Sequence, residues 1–144
     1  MSGEDDVTLK DVEEAATVLE GVARRTPLDT SRTLSDLSGM DLYLKMENLQ
    51  RTGSFKLRGA YNKIYSLSDS ERKKGVVAAS AGNHAQGVAH AATLLDTRST
   101  IVMPESASPA KIDATKGYGA RVILHGSAFD ETLEMARKIA SKEG

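Results

Sequence analysis

A lysine at the head of a helical apolar stripe is where chemistry can start in this chain. Lys56 lies in Arg51-Thr52-Gly53-Ser54-Phe55-Lys56-Leu57-Arg58-Gly59-Ala60. Leu57, Ala60, Tyr61, Ile64 and Tyr65 recur at i, i+3, i+4, i+7 and i+8, so the spacing predicts a helix that buries that face. Ser54 is placed to cap it. Lys56 then falls in the first turn, where exposed N–H dipoles disfavour a cation. A neutral amine is what covalent chemistry with an aldehyde requires. The competing reading for the residue type alone is a solvated surface lysine.

The second chemically suggestive stretch is Ser80-Ala81-Gly82-Asn83-His84-Ala85-Gln86-Gly87. It joins the apolar run Val76-Val77-Ala78-Ala79 to a helix predicted over about 83–95. Open parallel sheets bind ligands at the carboxyl ends of their strands, where loops meet helix N-termini. Successive N–H groups, a hydroxyl and an amide suit a carboxylate or phosphate. A plain N-cap with glycine in a tight turn explains the same residues. His84 and Gln86 read as orienting or packing residues. His90 and His125 lack a partner pattern for a metal and read as structural. Gly117-Tyr118-Gly119-Ala120 lacks the third glycine of a dinucleotide fingerprint and precedes a strand. Neither Ser54 nor Ser80 lies in a Gly-x-Ser-x-Gly elbow.

The elements that must position these residues are legible around them. Residues 1–7 read as a frayed tail. Thr8 and Asp11 form a capping-box pattern before a stripe of Leu9, Val12, Ala16 and Leu19. Residues 25–28 are extended ahead of and through a proline. A short helix is expected over 31–37, and a strand with one covered face over 41–47. Ser68 to Glu71 is a second capping-box match. Strands at 76–79, 100–103 and 120–124 alternate with helices starting near 83, 108 and 129. The first of them, an unbroken apolar run, reads as covered on both faces. The last helix presents Phe129, Leu133, Ala136 and Ala140, with Glu134 and Lys138 paired across one turn. The expected fold is α/β, a three-layer open parallel sheet built from right-handed βαβ units with flanking helices.

The 144 residues carry 19 Lys and Arg against 20 Asp and Glu, a net charge of −1, which gives no reason to expect nucleic acid or an anionic membrane as partner. Cysteine is absent, which removes disulfides, thiolate metal sites and a cysteine nucleophile. The acidic, polar start is unlike a signal peptide, and no apolar run reaches membrane-spanning length. A soluble, cytoplasmic chain is expected. A further strand would ordinarily follow the last helix, so a fragment of a longer protein is expected too.

Taken together, the run from Lys45-Met46-Glu47-Asn48-Leu49-Gln50 through Ala60 and the run Ser80–Gly87 resemble the threonine (serine) dehydratases, pyridoxal phosphate enzymes of the tryptophan-synthase-β fold type. Met103-Pro104 and Lys111 to Gly119 also look like that family, and the likeness runs from Arg25 onward. It implies that residues 1–50 belong to a large domain, and that residues 51–144 form a small domain carrying the Schiff-base lysine and the substrate loop. The resemblance assigns catalysis to Lys56. It assigns cofactor contact to Phe55, Lys56 and Asn83, and substrate contact to Ser54, Ser80, Ala81, Gly82, Asn83 and His84. The cofactor implied is pyridoxal 5'-phosphate, with no metal assigned, and family members are usually homo-oligomers.

The implied reaction converts L-threonine to 2-oxobutanoate and ammonia, or L-serine to pyruvate and ammonia. Serine racemases of this fold carry serine where this chain has Ala81, which argues for elimination. Serine racemase, cysteine synthase and threonine synthase share the lysine and are the enzymatic alternatives. A non-catalytic isolated domain is the alternative of another class. The family's glycine-rich phosphate loop and the group that meets the pyridine nitrogen lie downstream of Gly144, so the 144 residues alone are expected to be inactive.

Overall fold

The computed structural model describes residues 6–143. The first five positions of the expected frayed tail lie outside the described residues. Helix α1 (Leu9–Val18) opens on the capping box expected of Thr8 and Asp11. Its stripe is not buried as the spacing implied: Leu9 and Val12 are exposed, and only Val18 and Leu19 reach the core. Strand β1 (Leu28–Thr30) follows Pro27, and α2 (Arg32–Ser38) ends at Gly39 in the left-handed region.

Strand β2 (Tyr43–Lys45) pairs antiparallel with β1 as a separate two-stranded sheet, with Asp29 opposite Leu44. The expected strand over 41–47 is cut short because Glu47 turns into a 3-10 turn (Glu47–Leu49). There its carboxylate accepts hydrogen bonds from Thr26 Oγ1 at 2.7 Å and from Arg58 at 2.8 and 3.1 Å. Gln50, buried, ties the same region down: its amide accepts from Arg24 N and donates to Arg24 O.

The rest is the expected alternation. Helices α3 (Lys56–Tyr65) and α4 (Asp69–Lys74) precede β3 (Val76–Ala79), then α5 (Asn83–Leu94), β4 (Ser99–Met103), α6 (Pro109–Gly117), β5 (Arg121–Leu124) and α7 (Phe129–Glu143). The strands are parallel in the order β3-β4-β5, with Ala78 opposite Ile101 and Ile101 opposite Val122. β4 is buried on both faces. Ile101 and Met103 join the core cluster beneath α5, and Val102, alternating to the other face, is equally buried where α7 crosses β3 and β4. This gives three layers, as expected. β3 is covered on both faces as its apolar run implied, by α5 and by α7, but as an edge strand with a single partner it is only half-buried.

Two helix faces are corrected. On α3, Leu57, Ala60, Tyr61 and Ile64 are buried as the spacing predicts, whereas Tyr65 is half exposed and stacks on Tyr61. On α7 the inward face is Thr132 and Ala136; Phe129 and Ala140 are exposed. Thr132 is tolerated there because its hydroxyl donates to His125 O and Ala128 O. The Glu134–Lys138 pair is present at 2.8 Å. Among the described residues no helix is long and apolar enough to cross a membrane.

Candidate active site

The two suggestive stretches meet because α3 packs along α5. Gly87 lies in the second turn of α5, where a Cβ would sit 3.0 Å from the Lys56 carbonyl carbon and 3.2 Å from the Leu57 nitrogen. A side chain there would force the α3 main chain to give by a few tenths of an ångström, so its absence lets the start of α3 rest directly on α5. Leu57 and Ala85, both fully buried, fill the adjoining space. Lys56 and the loop Ser80–His84 therefore stand at one end of the parallel sheet, beyond the carboxyl end of β3.

Lys56 is the first residue of α3, as the sequence predicts, but the cap differs. Phe55 occupies the N-cap position, and Ser54, one residue further out, accepts the Lys56 N–H at 3.4 Å. The buried Ser54 thus shapes the entry to the helix. The Lys56 Nζ lies 4.9 Å from the centroid of the exposed Phe55 ring. Among the described residues the amine has no ion pair. Thr52, in the Gln50–Gly53 turn that precedes the helix, keeps a buried Oγ1 with no hydrogen-bond partner among the described residues.

Ser80 is buried at the end of β3, and its Oγ accepts the N–H groups of Gly82 and Ala85, both at 3.2 Å. The hydroxyl therefore builds the loop and satisfies the first turn of α5, leaving one O–H to donate. Ala81, Asn83 and His84 are exposed at the rim, with Gly82 half-buried between them. The pKa of His84 lies below the ordinary histidine value. Partial desolvation is the larger cause and the charge of Lys56 the second. That coupling registers how near the lysine and the loop are.

His90 does not join the site. Its ring packs against Tyr118 with centroids 4.9 Å apart, and Tyr118 OH donates to Arg51 O at 3.2 Å. Desolvation, then the charge of Arg51, lowers the His90 pKa. His125 sits beyond β5, where its N–H donates to Met103 O. Among the described residues no group of three His, Cys, Asp or Glu side chains could hold a metal ion.

Sequence reasoning missed Lys111 on α6. A Cβ on Gly82 would lie 3.2 Å from the Lys111 Nζ, so the ammonium rests over the loop. No spacing rule links residues so far apart in the chain. The close approach at Gly87 was also missed, although its glycine inside a helical pattern was the available signal.

Residues 19–144 match the family described as "Pyridoxal-phosphate dependent enzyme". The chain is 57% identical over 138 residues to the L-threonine ammonia-lyase of Thermotoga maritima, covering 96% of this chain and 34% of that protein. It is 54% identical over 139 residues to a catabolic L-threonine dehydratase of Staphylococcus aureus, covering 96% and 40%. The chain thus spans about a third to two fifths of the length of these relatives. Among solved structures, the processed form of threonine deaminase isoform 2 from Solanum lycopersicum superposes with a TM-score of 0.80 at 41% identity, over 96% of this chain and 42% of that one. Maize serine racemase superposes with a TM-score of 0.88 at 33% identity, over 96% and 42%.

The donor set fits one end of the cofactor named by that family. A primary amine at Lys56 lies over the aromatic ring of Phe55, the glycine at 87 seats the lysine backbone beside the loop, and Thr52, four residues earlier, holds a buried hydroxyl with no partner among the described residues. Match, fold and donor set agree, and the chain belongs to the pyridoxal-phosphate dependent enzyme family.

Proposed function

We propose that the protein containing this chain dehydrates and deaminates L-threonine to 2-oxobutanoate and ammonia, with L-serine as a second substrate giving pyruvate. The observation that carries this reading is the apposition of Lys56 to the Ser80–His84 loop through Gly87. The 57% and 54% identities to enzymes named for the threonine reaction support it. When bound, pyridoxal phosphate supplies an aldehyde for the lysine amine and a conjugated ring that withdraws electrons from the substrate Cα. Lys56 would hold the cofactor and then move the proton at the substrate Cα. Phe55 would pack against the cofactor ring, and Asn83 would contact the cofactor from the loop. Ser54 and the loop Ser80–His84, through N–H groups and side chains, orient the substrate carboxylate. Water and ammonia balance the reaction: the β-hydroxyl leaves as water, and a water returns when the amine is released.

Racemisation is the competing reading, favoured by the likeness to serine racemase in fold. Ala81 counts against it, since a methyl group cannot deliver a proton to the second face of Cα. We also propose the domain assignment: 51–144 as the small α/β domain and 1–50 as part of a larger one. In support, α1, β1, α2 and β2 bury no residue of their own, and the β1–β2 sheet is separate from the parallel one. We propose further that the 144 residues are inactive alone and that the full-length protein is a cytoplasmic homo-oligomer. The test is product analysis of the full-length enzyme. Threonine should yield 2-oxobutanoate and ammonia in equal amounts; conversion of L-serine to D-serine as the main product would overturn the reading.

A further inference from the structure

Lys111 stands in the first turn of α6, three residues past the N-cap Ser108. Its N–H donates to Ser108 O at 2.9 Å, and its carbonyl accepts the hydroxyl of the fully buried Thr115 at 2.7 Å. The backbone beneath the side chain is therefore held from both sides, and the half-buried side chain reaches the loop at Gly82. Among the described residues, Lys111 makes no ion pair and its Nζ donates to no acceptor.

This is an unfavourable place for a cation. The first turn of a helix repels positive charge, and partial burial removes water that would compensate. The first turn of α5, which begins beside Gly82, is electropositive as well. Neither α5 nor α6 has an acidic residue in its first turn. Two helix starts and an ammonium thus converge on one glycine, and among the described residues no carboxylate pairs with that ammonium. Ser80 cannot serve as acceptor, because its oxygen already takes two N–H groups.

We propose that Lys111 is the ion-pair partner of the substrate α-carboxylate, making the charge of that group, beyond its shape, a condition for tight binding. The inference rests on the reading of Ser80–His84 as the carboxylate loop. It implies that amino acids with a free carboxylate are selected over their amides and esters. A bound carboxylate would take one hydrogen bond from the ammonium while the loop N–H groups hold its other oxygen.

The test uses the full-length holoenzyme and the variants K111M, K111Q and K111R. Two ligands without an amine, 2-hydroxybutanoate and 2-hydroxybutanamide, are titrated calorimetrically, and KM and kcat are measured for L-threonine. The wild type should bind the acid more tightly than the amide. K111M should weaken binding of the acid and raise KM by about tenfold to a hundredfold, with amide binding unchanged and kcat altered far less. K111R should recover most of the loss. If K111M fails to fold, K111Q decides by the same criteria. Equal losses for acid and amide, or acid affinity within twofold of wild type, would overturn the proposal. A wild type that binds the acid no better than the amide would overturn it too. Should K111M lose acid binding selectively as expected while the wild type leaves threonine unreacted, the functional reading falls and the assignment of Lys111 stands.

Discussion

Gly87 holds the backbone of Lys56 against α5: a Cβ there would lie 3.0 Å from the Lys56 carbonyl carbon and 3.1 Å from its oxygen. Both contacts are with main chain, which cannot swing aside as a side-chain tip can. The glycine therefore sets how closely the Lys56 backbone approaches α5 and the loop that opens it.

Two glycine substitutions should consequently have opposite signs. Gly87→Ala gains about 1 kcal/mol of helix propensity but costs about 1–3 kcal/mol in overpacking, so it should destabilise. Gly59→Ala, on α3 with nothing within 4 Å of its Cβ, has only the gain and should stabilise by about 0.5–1 kcal/mol. Chemical denaturation of both variants checks this. Equal shifts would show that Gly87 is not a packing constraint.

Acid should loosen the tie between the N-terminal segment and α3. Glu47 is held from an ordinary value of 4.5 down to about 2, chiefly by hydrogen bonds from Arg58 and next by the one from Thr26, with burial opposing. Its folded pKa lies below the unfolded one. The pair's contribution is therefore fully present above about pH 4.5 and is lost as pH falls toward 2. Glu47→Gln should cost about 1–3 kcal/mol at neutral pH and flatten the stability curve across that window. Stability measured from pH 7 to 2 in both proteins tests the sign; parallel curves would contradict it.

The coupling between lysine and loop has its own signature. Lys56→Ala removes one of the two causes that lower the His84 pKa, so that pKa should rise in the variant while remaining below the ordinary value. Lys56 is exposed, and the substitution should leave folding stability within about 0.5 kcal/mol. An NMR titration of the His84 ring reads the shift. A ring that titrates as in the wild type would place the two groups further apart than described.

Much of this architecture was legible in the residues. Regular helix and strand periods from Lys56 onward led to the parallel sheet, and both capping boxes formed where Thr8-Asp11 and Ser68-Glu71 stand. What escaped was set by tertiary partners. Tyr43–Lys45 pairs with a three-residue strand too short to leave a pattern, and Glu47 leaves the strand to meet Arg58. The inward face of α7 turned toward Thr132 because two carbonyls accept its hydroxyl, a compensation that a hydrophobic stripe cannot announce. In the site, Lys56 and Ser80–His84 were marked by local spacing. Lys111 was not, since only folding carries it to Gly82.

Everything proposed for the site turns on Lys56 as the amine that bears the cofactor. The full-length holoenzyme should be reduced with borohydride, digested, and mapped by mass spectrometry. One phosphopyridoxyl group per chain is expected, on Lys56. A label on Lys111 or any other lysine, with Lys56 unmodified, would contradict it.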